Sequence, residues 1–301
     1  MMELLEDVIA RYSIVYRYRR VPLLSKEIAS TLLSLDDGKC VEASQDLGFS
    51  RVVACREGDE VILGRTRVSM SVLEEIAERG KDDAVYALID GEPIEVSMYS
   101  SEWGFHKLKY LGFGVPTTLE INGIHMHRIL GIDPYRDAEL KVRSLGRVKG
   151  LVLDTCMGLG YTAIKALERG ASKVITVEIS PLVIEIAKLN PWSSPLENPV
   201  VEVLHADVVK VVHELPSECL DAIIHDPPRI SVAGELYSLE MYRELYRVLK
   251  PGAKIFHYTG EPGKHGGPRY LKGIKERLQR AGFVNIEWID KALGFIARKP
   301  H

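Results

Sequence analysis

Residues 154–163 read Asp-Thr-Cys-Met-Gly-Leu-Gly-Tyr-Thr-Ala, directly after the apolar run Leu151-Val152-Leu153 and at the opening of a segment with helical spacing. Glycines at 158 and 160 let the backbone turn tightly and approach a ligand with no Cβ in the way, while a helix N-terminus offers free N–H donors. Taken alone the pattern is ambiguous. Gly158-x-Gly160-x-x-Ala163 fits a dinucleotide fingerprint, and it also fits a plain strand-to-helix turn. Asp154 shifts the balance, because a carboxylate at the strand tip repels a pyrophosphate and attracts an ammonium or a sulfonium.

Around this turn the second half of the chain alternates short apolar strands with amphipathic helices, the pattern of a parallel sheet covered on both faces. The spacing predicts strands at 150–154, 173–178, 200–205, 220–225 and 253–258, and helices at 161–168, 181–189 and 235–249. The last of these helices should stop at Lys250-Pro251-Gly252. A final helix at about 269–280 precedes two β-like runs, 283–289 and 293–298. Their joint, Asp290-Lys291-Ala292, is too short for a helical crossover, so the pair must be an antiparallel hairpin.

The first half is less regular. Met1 to Arg17 reads as a helix, as do Ser25 to Leu35, with Ser25 as N-cap, and Val72 to Arg79. Turn signals at Glu57-Gly58-Asp59, Asp90-Gly91 and Asn122-Gly123 predict three hairpins. A bridging helix, 135–145, leads into the sheet. The expected fold is α/β: a Rossmann-like doubly wound sheet with a C-terminal antiparallel hairpin over 133–301, preceded by a smaller α+β domain over 1–132 that serves substrate recognition.

Composition narrows the classes. The 301 residues are 46% hydrophobic and 27% charged, as in an ordinary globular protein, and the formal net charge of −3 excludes binding of nucleic acid by bulk positive charge alone. No apolar run reaches the roughly 18 residues that span a bilayer, and the first 20 residues are unlike a signal, so a cytoplasmic location is expected. Cys40, Cys55, Cys156 and Cys219 lie far apart without a Cys-x-x-Cys pair, which predicts reduced, buried thiols and no zinc site. His125 and His127 share a strand face, but without a third ligand nearby they predict pairing or packing, and no metal is expected.

Three further strand ends carry acids. Glu178 closes the second strand, where a carboxylate can accept both ribose hydroxyls of a nucleoside. Asp207 follows the third and can accept from an adenine amino group or cap the helix at 208–214. The fourth ends His225-Asp226-Pro227-Pro228-Arg229, a stiff loop that aims Asp226 and the Pro227 carbonyl at a substrate amino group. His257, Tyr258 and the stretch Glu261 to Gly267 follow the fifth strand as a candidate wall.

Together, Asp154-x-x-x-Gly158-x-Gly160, Glu178, Asp207 and Asp226-Pro-Pro, with the closing hairpin, resemble the class I S-adenosylmethionine-dependent methyltransferases over roughly 140–300. The wording around 151–162 and His-Asp-Pro-Pro-Arg is similar to a group of predicted archaeal methyltransferases of unassigned substrate. The resemblance implies S-adenosylmethionine as cofactor, held by Asp154, Cys156, Gly158, Gly160, Tyr161, Thr162, Glu178, Ile179, Asp207 and Val208. It assigns Asp226 and Pro227 to orienting a substrate nitrogen. Arg229 stands where amino-methylating members carry an aromatic residue, so the surface that would stack a flipped base is missing there; an Arg plane can stack on a base or grip a phosphate instead.

The stretch 11–20 holds four arginines and three tyrosines with no acid, which suits nucleic acid and equally suits a solvated helix face. An RNA acceptor engaging Arg11, Arg17, Arg19 and Arg20 is therefore the favoured expectation. A small-molecule acceptor, or aminopropyl transfer of the spermidine-synthase kind, is the alternative; self-association is compatible with either.

Overall fold

The computed structural model describes residues 2–260 and 267–301. Its central sheet has eight strands in the order Ser13–Ile14, Val201–His205, Lys173–Glu178, Leu151–Asp154, Leu220–His225, Leu249–Tyr258, Gly294–Arg298, Val284–Ile289. The five from Val201–His205 to Leu249–Tyr258 run parallel. Gly294–Arg298 and Val284–Ile289 add the antiparallel hairpin. Near-continuous apolar runs such as Val174–Val177 and Ala222–Ile224 are buried, as strands covered on both faces require.

Strand order reverses where Leu151–Asp154 meets Leu220–His225. Ligands of open α/β sheets bind in the crevice beyond the carboxyl ends at such a point, and the register sets Asp154 opposite Ile224, two residues from Asp226. Helix Tyr161–Glu168 starts after Gly160 in the left-handed region, Asp207 caps Val208–Glu214, and Ser238 caps Leu239–Val248. The Ser238 cap corrects the continuous helix expected over 235–249: a short 3-10 turn, Gly234–Tyr237, precedes it, and the side chain accepts from Met241 N at 3.0 Å.

Two compact units emerge from the contacts: residues 1–16, 135–181 and 195–301 form one, and residues 17–134 with 182–194 the other. A single cut near residue 132 misses that division at its start. The first helix ends at Tyr12 rather than Arg17, because the β-branched Ile14 and Val15 favour extended chain. Ser13–Ile14 then pairs antiparallel with Val203 and Leu204, as an edge strand of the large sheet.

The second unit is β-rich. It carries a four-stranded sheet from Ser97–Ser100 to Ile124–His125, a three-stranded one with Leu23–Leu24, Tyr86–Ile89 and Glu92–Glu95, and a four-stranded one over Cys40–Ser69. Helices Lys26–Leu33 and Met70–Arg79 accompany them, and the three expected hairpins form at their turn signals. The cysteine expectation fails here: Cys40 and Cys55 form a disulfide. They lie directly opposite on an antiparallel pair with Cα atoms 4.1 Å apart, a proximity that a separation of 15 residues conceals. Cys156 and Cys219 are free thiols. Among the described residues no helix is long and apolar enough to cross a membrane.

Candidate active site

Asp154 is fully buried, and both of its carboxylate oxygens are engaged, by the Thr162 hydroxyl at 2.9 Å and the Thr176 hydroxyl at 2.7 Å. Burial raises its pKa to about 7 against the lowering effect of those two bonds. It is thus a clasp between strand and helix rather than the open acceptor for a ligand cation that its strand-tip position suggests. Nothing in the sequence spacing marks the two threonines as its partners. Glu178 bridges two loops: Oε2 accepts from Gly158 N at 3.0 Å and Oε1 from Ser180 N at 2.9 Å. Burial lifts this carboxyl to about 7 as well.

The two loop glycines differ. A Cβ on Gly160 would lie 2.4 Å from Leu196 Cδ1, whereas one on Gly158 would meet nothing within 4 Å. Both have positive φ, so both favour glycine, but Gly160 serves packing and Gly158 fronts open space. Ile179 follows Glu178 and is 48% exposed. Asp207 Oδ1 accepts from Val209 N at 2.8 Å, its cap role. Tyr161 and Val208 are buried, and burial holds the Cys156 thiol well above its usual range, so it is no nucleophile.

At the fourth strand's end, Asp226 Oδ2 accepts a hydrogen bond from Lys141 Nζ at 2.6 Å. Lys141, from helix Pro134–Ser144, is 1% exposed; its ammonium also lies 3.0 Å from Asp137 Oδ2 and 4.0 Å from the Tyr258 ring centroid. Burial alone would lower the lysine's pKa, but the two carboxylates outweigh it and keep the ammonium charged. Sequence patterns do not single out Lys141 or Asp137. Spaced four apart on an amphipathic helix, they resemble an ordinary surface pair.

The surrounding groups are saturated. His225 Nε2 donates to Leu236 O at 2.9 Å and Nδ1 accepts from the Thr155 hydroxyl at 2.9 Å; burial lowers its pKa to about 4. His257, expected in a wall, is instead fully buried, accepting from the Tyr242 hydroxyl at 2.8 Å, and burial keeps it neutral. Pro227 is buried, and the Pro228 carbonyl accepts from the Tyr237 hydroxyl at 2.9 Å. Arg229 is exposed, with no contact to Asp226 among the described residues, so Lys141 rather than Arg229 supplies the positive charge there. Of the stretch expected to complete the wall, residues 261–266 lie outside the described residues.

The basic stretch does not form one helical face. Arg11 pairs with Glu214 at 2.7 Å, Arg19 pairs with Glu185, and the Arg20 guanidinium lies over the Tyr18 ring. Residues 15–22, Arg17 included, have no regular structure. His125 contacts Glu120 at 3.1 Å and His127 contacts Thr118 at 2.9 Å; no group of metal-ligating side chains occurs among the described residues.

Residues 152–252 match a family described as a methyltransferase domain. The polyamine aminopropyltransferase 2 of Streptomyces coelicolor is 26% identical over 87% of this chain, which spans about half (48%) of that relative. A spermidine synthase solved with the transition-state analogue AdoDATO shares the fold: TM-score 0.53 at 21% identity, covering 67% of this chain and 72% of its own. The uncharacterized protein MJ1233 of Methanocaldococcus jannaschii is 46% identical over 283 residues, 92% of each chain. The chain therefore belongs to the same family as this archaeal protein, and its 152–252 stretch is a methyltransferase domain.

Proposed function

We propose that the enzyme methylates an amine nitrogen of a small acceptor positioned at Asp226. S-adenosylmethionine, when bound, supplies an electrophilic methyl group on a sulfonium. On the protein's side, Glu178 and Asp207 would hold the nucleoside, Ile179 would pack against it, and Gly158 would leave room for it. The observation that carries the reading is the clamped carboxylate: Asp226 keeps 17% of its side chain exposed while Lys141 fixes one oxygen. A carboxylate held this way accepts an N–H from the incoming amine and aligns its lone pair, an effect of positioning rather than of strong base. Asp137, Asp226 and Lys141 together carry one net negative charge, which suits a single amine and not an extended polycation.

Aminopropyl transfer is the second reading, favoured by the likeness to a polyamine aminopropyltransferase. Against it stands Lys141, a fixed cation in the pocket where a polyamine would need uncompensated acids. An RNA acceptor is less well supported, since Arg11 and Arg19 are bound to carboxylates. One experiment separates the three: supply labelled S-adenosylmethionine or decarboxylated S-adenosylmethionine with a panel of amines, and with total cellular RNA. Label from the methyl donor on a small amine is the expected outcome. Label in RNA overturns the acceptor, and turnover with the decarboxylated donor alone overturns the transferred group.

A further inference from the structure

At the amino ends of the same strands, opposite the crevice, a recess of about 240 Å³ is lined by Arg147, Lys149, Asp221, Lys254 and Arg298 among its walls. Lys254 and Arg298 are direct cross-strand partners in the antiparallel pair. Like charges placed so destabilise a sheet unless an anion lies between them. Neither they nor Arg147 and Lys149 join an ion pair among the described residues. Asp221, the acid on the wall, is already spent: Oδ1 accepts from Lys250 Nζ at 2.7 Å and Oδ2 from Leu151 N at 2.8 Å.

Arg298 Nε is buried with no hydrogen-bond partner. An orphaned charged donor of this kind is costly, and such a group calls for an explanation. A bland account exists for Lys254, whose Nζ lies 3.4 Å from Leu145 O, just past the carbonyl end of helix Pro134–Ser144, where cations are favoured. That account leaves Arg298 unexplained, along with the two cations at positions 147 and 149.

We infer that this recess is a binding site for a phosphate-bearing small molecule, with Arg298 and Lys254 at its floor and the exposed Arg147 and Lys149 at its mouth. A guanidinium fork beside an ammonium matches the oxygens of a phosphate group. The recess and the Asp226 crevice occupy opposite strand ends, so the inference is independent of the acceptor proposed above.

The test uses the full chain, with inorganic phosphate and pyrophosphate as probes at constant ionic strength, followed by calorimetry and thermal melting. Saturable binding with a raised melting temperature is expected. It should weaken at least tenfold in the double variant Lys254→Met, Arg298→Met, with affinity for S-adenosylmethionine unchanged. Because Arg298 is partly buried in the sheet, Arg147→Ala with Lys149→Ala provides a variant confined to exposed positions, in which pyrophosphate affinity should fall about three- to tenfold by loss of two charges near the mouth. A response no larger than that to potassium chloride of equal ionic strength, or one indifferent to the exposed pair, overturns the assignment.

Discussion

Asp154 and Asp226 end neighbouring strands of one sheet, and they have opposite fates. Asp154 receives hydroxyl donors from Thr162 and Thr176, is sealed from solvent, and carries a pKa raised to about 7. Asp226 receives the Lys141 ammonium and stays partly open. Neutral donors satisfy a carboxylate's lone pairs without cancelling its charge, whereas a buried cation at hydrogen-bond distance also offsets that charge. The partner, not the residue type or its place on the strand, decides which acid is sealed in and which stays partly open.

The largest way to break this contrast is Lys141→Met. It leaves Asp137 buried without its cation, and removing one member of a buried ion pair typically costs about 3 to 5 kcal/mol. Denaturant unfolding should show that loss, and an unfolding free energy within about 0.5 kcal/mol of the parent would show the lysine to be dispensable. Next in size is Asp226→Ala, expected to lower kcat roughly 100-fold by lost positioning while leaving cofactor affinity nearly intact. Calorimetry beside single-turnover rates checks it; a collapse of cofactor binding would move Asp226 to the cofactor's side of the contrast.

A pH series sharpens the comparison. Glu178 goes from an ordinary 4.5 to about 7 on folding, and Asp154 from 3.8 to about 7. Each therefore binds more proton in the folded than in the unfolded state between those values. Stability from these groups is present at low pH and is lost as pH rises through that window. Glu178→Gln should flatten part of the decline between about 4.5 and 7 and leave the share due to Asp154, as read by urea midpoints across pH. An unaltered slope would show Glu178 to be unperturbed.

The smallest effect separates the glycines. Gly158→Ala should cost only about 1 kcal/mol of stability, the penalty of a left-handed φ, yet weaken cofactor binding measurably. Gly160→Ala adds a clash with Leu196 to the same strain and should cost more in melting temperature. Equal stability losses would remove the distinction between a packing glycine and a ligand-facing one.

Much of the sheet was legible in the chain because its signals are local. Apolar runs of strand length, Gly160 ahead of a helix, the Asp207 cap and a three-residue joint at 290–292 each constrain the backbone within a few residues of themselves. The acids at strand ends followed from the same periodicity. The pairing Cys40–Cys55, the edge strand Ser13–Ile14 and the interruption at Ser238 were less legible, since the first two join partners distant in sequence and a serine cap is easily lost inside a helical pattern.

By itself the sequence determined a parallel α/β sheet, its closing hairpin, and a row of acids and glycines at the carboxyl ends of its strands. Only the tertiary structure decided what those acids do. Lys141 lies 85 residues from Asp226, and Thr176 lies 22 from Asp154, so the charge compensation of one and the hydroxyl clasp of the other arise only when helix and strands pack together. A carboxylate's state depends on burial and on the donors within a few ångströms, and those are properties of the folded chain rather than of neighbours in sequence.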